Sequence, residues 1–109
     1  PGPPARPATK HERVAAREAD RARQRALEKS RRTLAALEAE IAECERALET
    51  LGHRLGDPAL YAGDGEAVRA IQDERAAVAT RCDALYRDWE RAAAEVESAE
   101  DAQRADAGA

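Results

Sequence analysis

Apolar residues recur at steps of three and four along two stretches of this chain. The first stretch carries Leu27, Leu34, Leu37, Ile41, Cys44, Leu48, Leu51 and Leu55. The second carries Val68, Ile71, Val78, Cys82, Leu85, Trp89, Ala92 and Val96. Such spacing places each set on one stripe of an α-helix, and its persistence over several heptads is the pattern of a coiled coil. Between the stripes lies Asp57-Pro58-Ala59-Leu60-Tyr61-Ala62-Gly63-Asp64. A connection this short makes the two helices antiparallel neighbours. The expected fold class is therefore all-α, an antiparallel two-helix coiled-coil hairpin.

The boundaries follow from stop and start signals. Residues 1–8 are Pro-rich, and their prolines lack the amide donor and clash with a preceding turn, so they read as a linker. Thr9 with Glu12 makes a capping box at the head of a first helix spanning about 10–55. Gly52 and Gly56 favour its termination and Pro58 blocks its continuation, leaving a tip at 56–64. Asp64 caps a second helix of about 65–98, and an acidic tail at 101–109 is expected to fray. Counting outward from the tip pairs Leu51 near Ile71, Ile41 near Cys82, Leu34 near Trp89 and Leu27 near Val96. Arg75 then falls at a core position, its stem along the seam and its guanidinium reaching for water.

Composition narrows the function classes. With no Phe, no Met, one Trp and two Tyr, the 109 residues cannot fill a globular core with large side chains. No run of about 18 apolar residues is present, which argues against a membrane span. No export signal is evident, so the cytoplasm is the expected compartment. Cys44 and Cys82 read as small seam residues, about a turn apart, rather than as a disulfide framework. His11 and His53 lie far apart, and no His or Cys pair has zinc-ligand spacing, so neither metal nor cofactor is expected. The phosphate-cradling Gly-x-x-x-x-Gly-Lys-Ser/Thr loop is missing, and a two-helix rod offers no concave pocket; no catalytic residue is assigned.

The net charge of −4 conceals an asymmetry. Residues 1–33 carry ten Lys or Arg against four acids, whereas residues 92–109 carry one Arg against five acids. Arg13, Arg17, Arg21, Arg25 and Lys29 recur every four residues and form one slowly winding stripe. Lys10, Arg23, Arg31 and Arg32 thicken it. Before Leu27 the heptad positions hold Ala16, Asp20 and Arg23, so this basic segment is read as an overhang that no seam covers. A positive stripe without aromatic residues or groove-reading motifs suits phosphate-backbone binding without sequence preference. The same stripe is also what a solvated, Ala-rich helix surface looks like. A third possibility is that Glu95, Glu97, Glu100, Asp101 and Asp106 neutralise it in cis and weaken nucleic-acid binding.

The tip and second helix resemble the C-terminal domain of ABC-F ATPases of the Uup type. The residues concerned are Leu55-Gly56-Asp57-Pro58-Ala59-Leu60-Tyr61, then Val68, then Leu85-Tyr86-Arg87-Asp88-Trp89-Glu90. The family's Leu-x-Asp-Pro-x-Leu-Tyr tip maps onto Asp57, Pro58, Leu60 and Tyr61, and its Tyr-x-x-Trp-Glu signature onto Tyr86, Trp89 and Glu90. The chain departs from the family at Asp88, where Arg is frequent, and at Ala92, where Leu is usual. The likeness spans roughly residues 30–95. It implies a coiled coil tethered behind two ATPase cassettes, with a role on DNA or ribosomal RNA, and the Pro-rich start would be the linker.

The resulting expectation is a non-enzymatic accessory domain, monomeric, with no membrane contact, binding nucleic acid through Lys10, Arg13, Arg17, Arg21, Arg25, Lys29, Arg31 and Arg32. A structural spacer or protein-docking coiled coil is the competing reading. A transfer-RNA-binding arm of a synthetase shares the architecture without the tip motif. A dimer made by opening the hairpin would use the same seam between chains.

Overall fold

The computed structural model describes residues 6–108. Two helices fill nearly all of it: α1, Lys10–Leu55, and α2, Glu66–Gly108. They pack antiparallel into a hairpin 86 × 26 × 15 Å, so the expected all-α fold is the observed one. Pro1–Ala5, most of the Pro-rich linker, lie outside the described residues.

The seam consists of Leu27, Ile41, Cys44 and Leu51 from α1 and Ile71, Cys82, Leu85, Ala92 and Val96 from α2, all buried. Ile41, Cys44, Cys82 and Leu85 form one cluster, flanked by Leu37, Leu48, Val78 and Trp89. Two helices shield each other on one side only, and even Ile71, the most enclosed residue, keeps 3% of its surface exposed. No polar or charged side chain is buried among the described residues. The rod is thus held by apolar contact rather than by buried ion pairs.

The register differs from the heptad count by one helical turn. Cys82 contacts Cys44 within a cluster that also holds Ile41, and the Tyr86 hydroxyl donates across the seam to Glu45. Trp89 packs against this cluster and lines a shallow surface groove with Ile41, Ala42 and Tyr86. The two cysteines are cross-seam neighbours, not a turn apart. Small side chains in successive layers, Ala, Cys and Val, leave the register weakly marked in the sequence. Arg75 is exposed, so the seam passes from Ile71 to Val78 without it.

Each helix end at the tip is satisfied locally. The Gly56 amide donates to the Gly52 and His53 carbonyls at 3.2 and 3.1 Å, which closes α1. Pro58–Ala62 then makes one 3-10 turn, capped by Asp57, whose Oδ1 accepts from the Ala59 amide at 3.0 Å. The Tyr61 hydroxyl donates to the Leu55 carbonyl at 2.6 Å, satisfying one of the acceptors that a helix C-terminus leaves open. Gly65 adopts φ +88°, where a side chain would be strained, and turns the chain into α2. The Asp64 carboxylate accepts from the Glu66 amide at 3.0 Å.

The largest difference from expectation is the far end of α2. It does not stop near Ser98 and fray; it continues to Gly108. Arg104 sits three residues after Asp101 and four after Glu100 and makes ion pairs with both. Pairs at these spacings support a helix, and the Ala-rich tail has high propensity.

Candidate nucleic-acid interface

The basic segment begins at a well-fixed helix start. Thr9 Oγ1 accepts from the Glu12 amide at 3.1 Å, and Glu12 Oε2 accepts from the Thr9 amide at 3.4 Å. This is the reciprocal capping box that the sequence suggested. Arg6 adds an ion pair to Glu12 at 2.6 Å, and Arg13 Nη1 donates to the Ala8 carbonyl at 2.6 Å.

From there α1 carries Lys10, Arg13, Arg17, Arg21, Arg25, Lys29, Arg31 and Arg32, all exposed. A step of four residues advances about 6 Å and about 40° around the axis. Arg13 to Lys29 therefore trace a band about 24 Å long that winds over less than half the circumference. The band is not purely basic. Glu18 lies three residues before Arg21, and Glu28 lies three after Arg25 and four before Arg32.

The extended α2 changes which of these cations are available. Asp106 reaches Arg23 at 3.3 Å, and Glu100 reaches Arg31 at 3.5 Å. Asp20, Arg23 and Gln24 line one shallow groove with Gln103, Asp106 and Ala107, while Leu27 and Gln103 line the next. The uncovered part of α1 is therefore the stretch before Asp20, not everything before Leu27. Of the acids placed opposite the stripe by the sequence, Glu100 and Asp106 make interhelix ion pairs, whereas Asp101 pairs with Arg104 on its own helix.

The structure thus divides the candidate cations into two groups. Arg23 and Arg31 face α2 and are paired with it. Lys10, Arg17, Arg21, Arg25, Lys29 and Arg32 make no ion pair among the described residues, and Arg13 spends one donor on a carbonyl while keeping its charge. Sequence spacing located the stripe. It could not separate the groups, because the division depends on the register and on how far α2 runs.

This arrangement of tip and paired helices has a family counterpart. The family model for the ABC transporter C-terminal domain matches residues 20–94. The chain belongs to the ABC transporter C-terminal domain family. No curated protein and no solved structure matches it. The matched range takes in the seam from Leu27 to Ala92, the tip and the Trp89 layer. It stops short of the α2 extension and leaves the first turns of the basic band outside.

As a C-terminal accessory domain the chain presents a rod. No helix among the described residues is long and apolar enough to cross a membrane. No group of three or more His, Cys, Asp or Glu among them could hold a metal ion. At the tip, Leu60 is half-buried and the Tyr61 ring is 55% exposed, although its hydroxyl is engaged with Leu55. The Tyr61 hydrogen bond had no sequence signal beyond the Tyr itself. The same holds for the Tyr86–Glu45 bond, whose partners are 41 residues apart.

Proposed function

We propose that this domain is a nucleic-acid-binding accessory arm of an ABC-F (Uup-type) ATPase, gripping phosphate backbones without reading sequence. The observation that carries the reading is the set of outward-facing cations on α1, Lys10, Arg13, Arg17, Arg21, Arg25, Lys29 and Arg32, none of them paired with α2. Arg and Lys on a straight helix supply point and fork donors to phosphate oxygens, and no aromatic side chain stands among them to stack on bases. DNA and ribosomal RNA both offer the required backbone. This role belongs in the cytoplasm, beside the tethered cassettes that would supply ATP turnover.

Fluorescence anisotropy with labelled duplexes of unrelated sequence tests the reading. Comparable affinity for all of them at low salt supports it. Absence of binding, or binding of one sequence alone, contradicts it. The second reading, a spacer or protein-docking rod, is favoured by the 86 Å length and by the exposed Tyr61 ring at the tip. It gains if low-salt binding is undetectable.

A further inference from the structure

The seam contains chemistry that packing does not use. Cys44 and Cys82 are the only cysteines of the chain, both free and buried, at 7% and 4% exposure. They belong to opposite helices and share one cluster with Ile41 and Leu85. We propose that Cys44 and Cys82 are a paired modification site, oxidised by a small-molecule disulfide to an interhelix disulfide that staples the hairpin.

The exchange balances with glutathione disulfide as oxidant. One protein thiolate attacks a glutathione sulfur, forming a mixed disulfide and expelling one glutathione thiolate. The second protein thiolate attacks the protein sulfur of that mixed disulfide and expels the other glutathione. The two protein thiols give up two protons and two electrons, and glutathione disulfide becomes two glutathione thiols. The neighbouring cysteine on the opposite helix lies in the same cluster and resolves the intermediate. With two cysteines in the chain, a single intramolecular pairing exists.

Burial pushes the Cys82 thiol up, and the adjoining Cys44, then Glu45 and Asp83, push it further. The closed rod therefore disfavours the Cys82 thiolate, and oxidation proceeds through transient opening of the seam. Once formed, the link restrains the two helices at the central cluster, between the tip and the basic segment.

The test equilibrates the chain in glutathione redox buffers of graded ratio and maps it by mass spectrometry without reduction. The expected product joins tryptic peptides 33–46 and 82–87 in a monomer lighter by two hydrogens. Its Tm, followed by circular dichroism, should rise by about 10–25 °C and fall back on reduction with dithiothreitol. Cys82→Ser and Cys44→Ala should each abolish the shift. The peptide map of the unaltered chain decides the question even if a variant folds poorly. Stable glutathione adducts on both cysteines, disulfide-linked dimers, or thiols that stay reduced in fully oxidising buffer would overturn the proposal.

Discussion

Substituting two sets of arginines separates an outward phosphate grip from general positive charge. The first variant carries Arg17→Gln, Arg21→Gln, Arg25→Gln and Lys29→Gln, all exposed and without ion pairs among the described residues. The second carries Arg23→Gln and Arg31→Gln, the two cations that α2 already neutralises at 3.3 and 3.5 Å. Counterion release makes each phosphate contact worth a factor of ~8 in affinity at 0.1 M salt, since log K changes by about 0.9 per tenfold dilution of salt for each contact. Arg17 to Lys29 span about 120° of arc over about 18 Å. Long side chains bring roughly two to four of them onto one backbone. The outward variant should therefore lose ~60-fold to ~4,000-fold in affinity, and the inward variant no more than about 2-fold. Anisotropy with a labelled duplex at 0.1 M salt measures both, and circular dichroism checks that each variant keeps its helix content. Equal losses per charge in the two variants would refute the division, because net charge alone would then explain binding.

Three further outcomes follow from the same structure. Glu100→Gln with Asp106→Asn removes the α2 partners of Arg31 and Arg23, although Asp20 still pairs with Arg23 within α1, so affinity at 0.1 M salt should rise about 2- to 8-fold; unchanged affinity would show that the acidic end of α2 does not compete with phosphate. Leu85→Ala removes a buried side chain from the central cluster and should destabilise the rod by about 2–4 kcal/mol in urea unfolding; a loss below ~1 kcal/mol would mean that this layer does not anchor the hairpin. Hydrogen bonding to Glu45, then burial, raises the Tyr86 hydroxyl above its ordinary 10.0, and burial raises the Cys82 thiol above 9.0. In both cases the folded rod favours the neutral form, so the contribution is complete below the unfolded values and is lost as pH rises through the folded ones. Melting curves at pH 8 and above pH 10 should show the advantage of the unaltered chain over Tyr86→Phe shrinking at the higher pH, and a gap independent of pH would refute the role of the Glu45 bond.

The hairpin was legible because its two apolar stripes and the Asp57-Pro58 stop are strong, local signals. Leu27, Ile41, Cys44 and Leu51 lie in the core as their spacing required, with Ile71, Cys82, Leu85, Ala92 and Val96 opposite them. The register was not legible, because Ala, Cys and Val layers can be shifted by a turn at little cost in packing. Arg75 illustrates the limit: heptad arithmetic places it in the seam, and solvation of its guanidinium keeps it out. The end of α2 was hidden for a different reason. An acidic tail ending in Gly and Ala suggests fraying, yet the Glu100–Arg104 and Asp101–Arg104 pairs and the Asp106–Arg23 bridge extend the helix. That extension redefined the candidate site, since it took Arg23 and Arg31 out of the free set and shortened the uncovered stretch of α1.

Phosphate binding by α1 is tested most directly by a salt titration of the intact chain with duplex, branched and single-stranded nucleic acid. A grip of three or four phosphates gives a straight line of log K against log salt with slope about −2.7 to −3.6 on duplex, and a shallower one on single strands. A slope near zero, or no measurable binding at about 20 mM salt, would contradict it and leave the rod as a spacer.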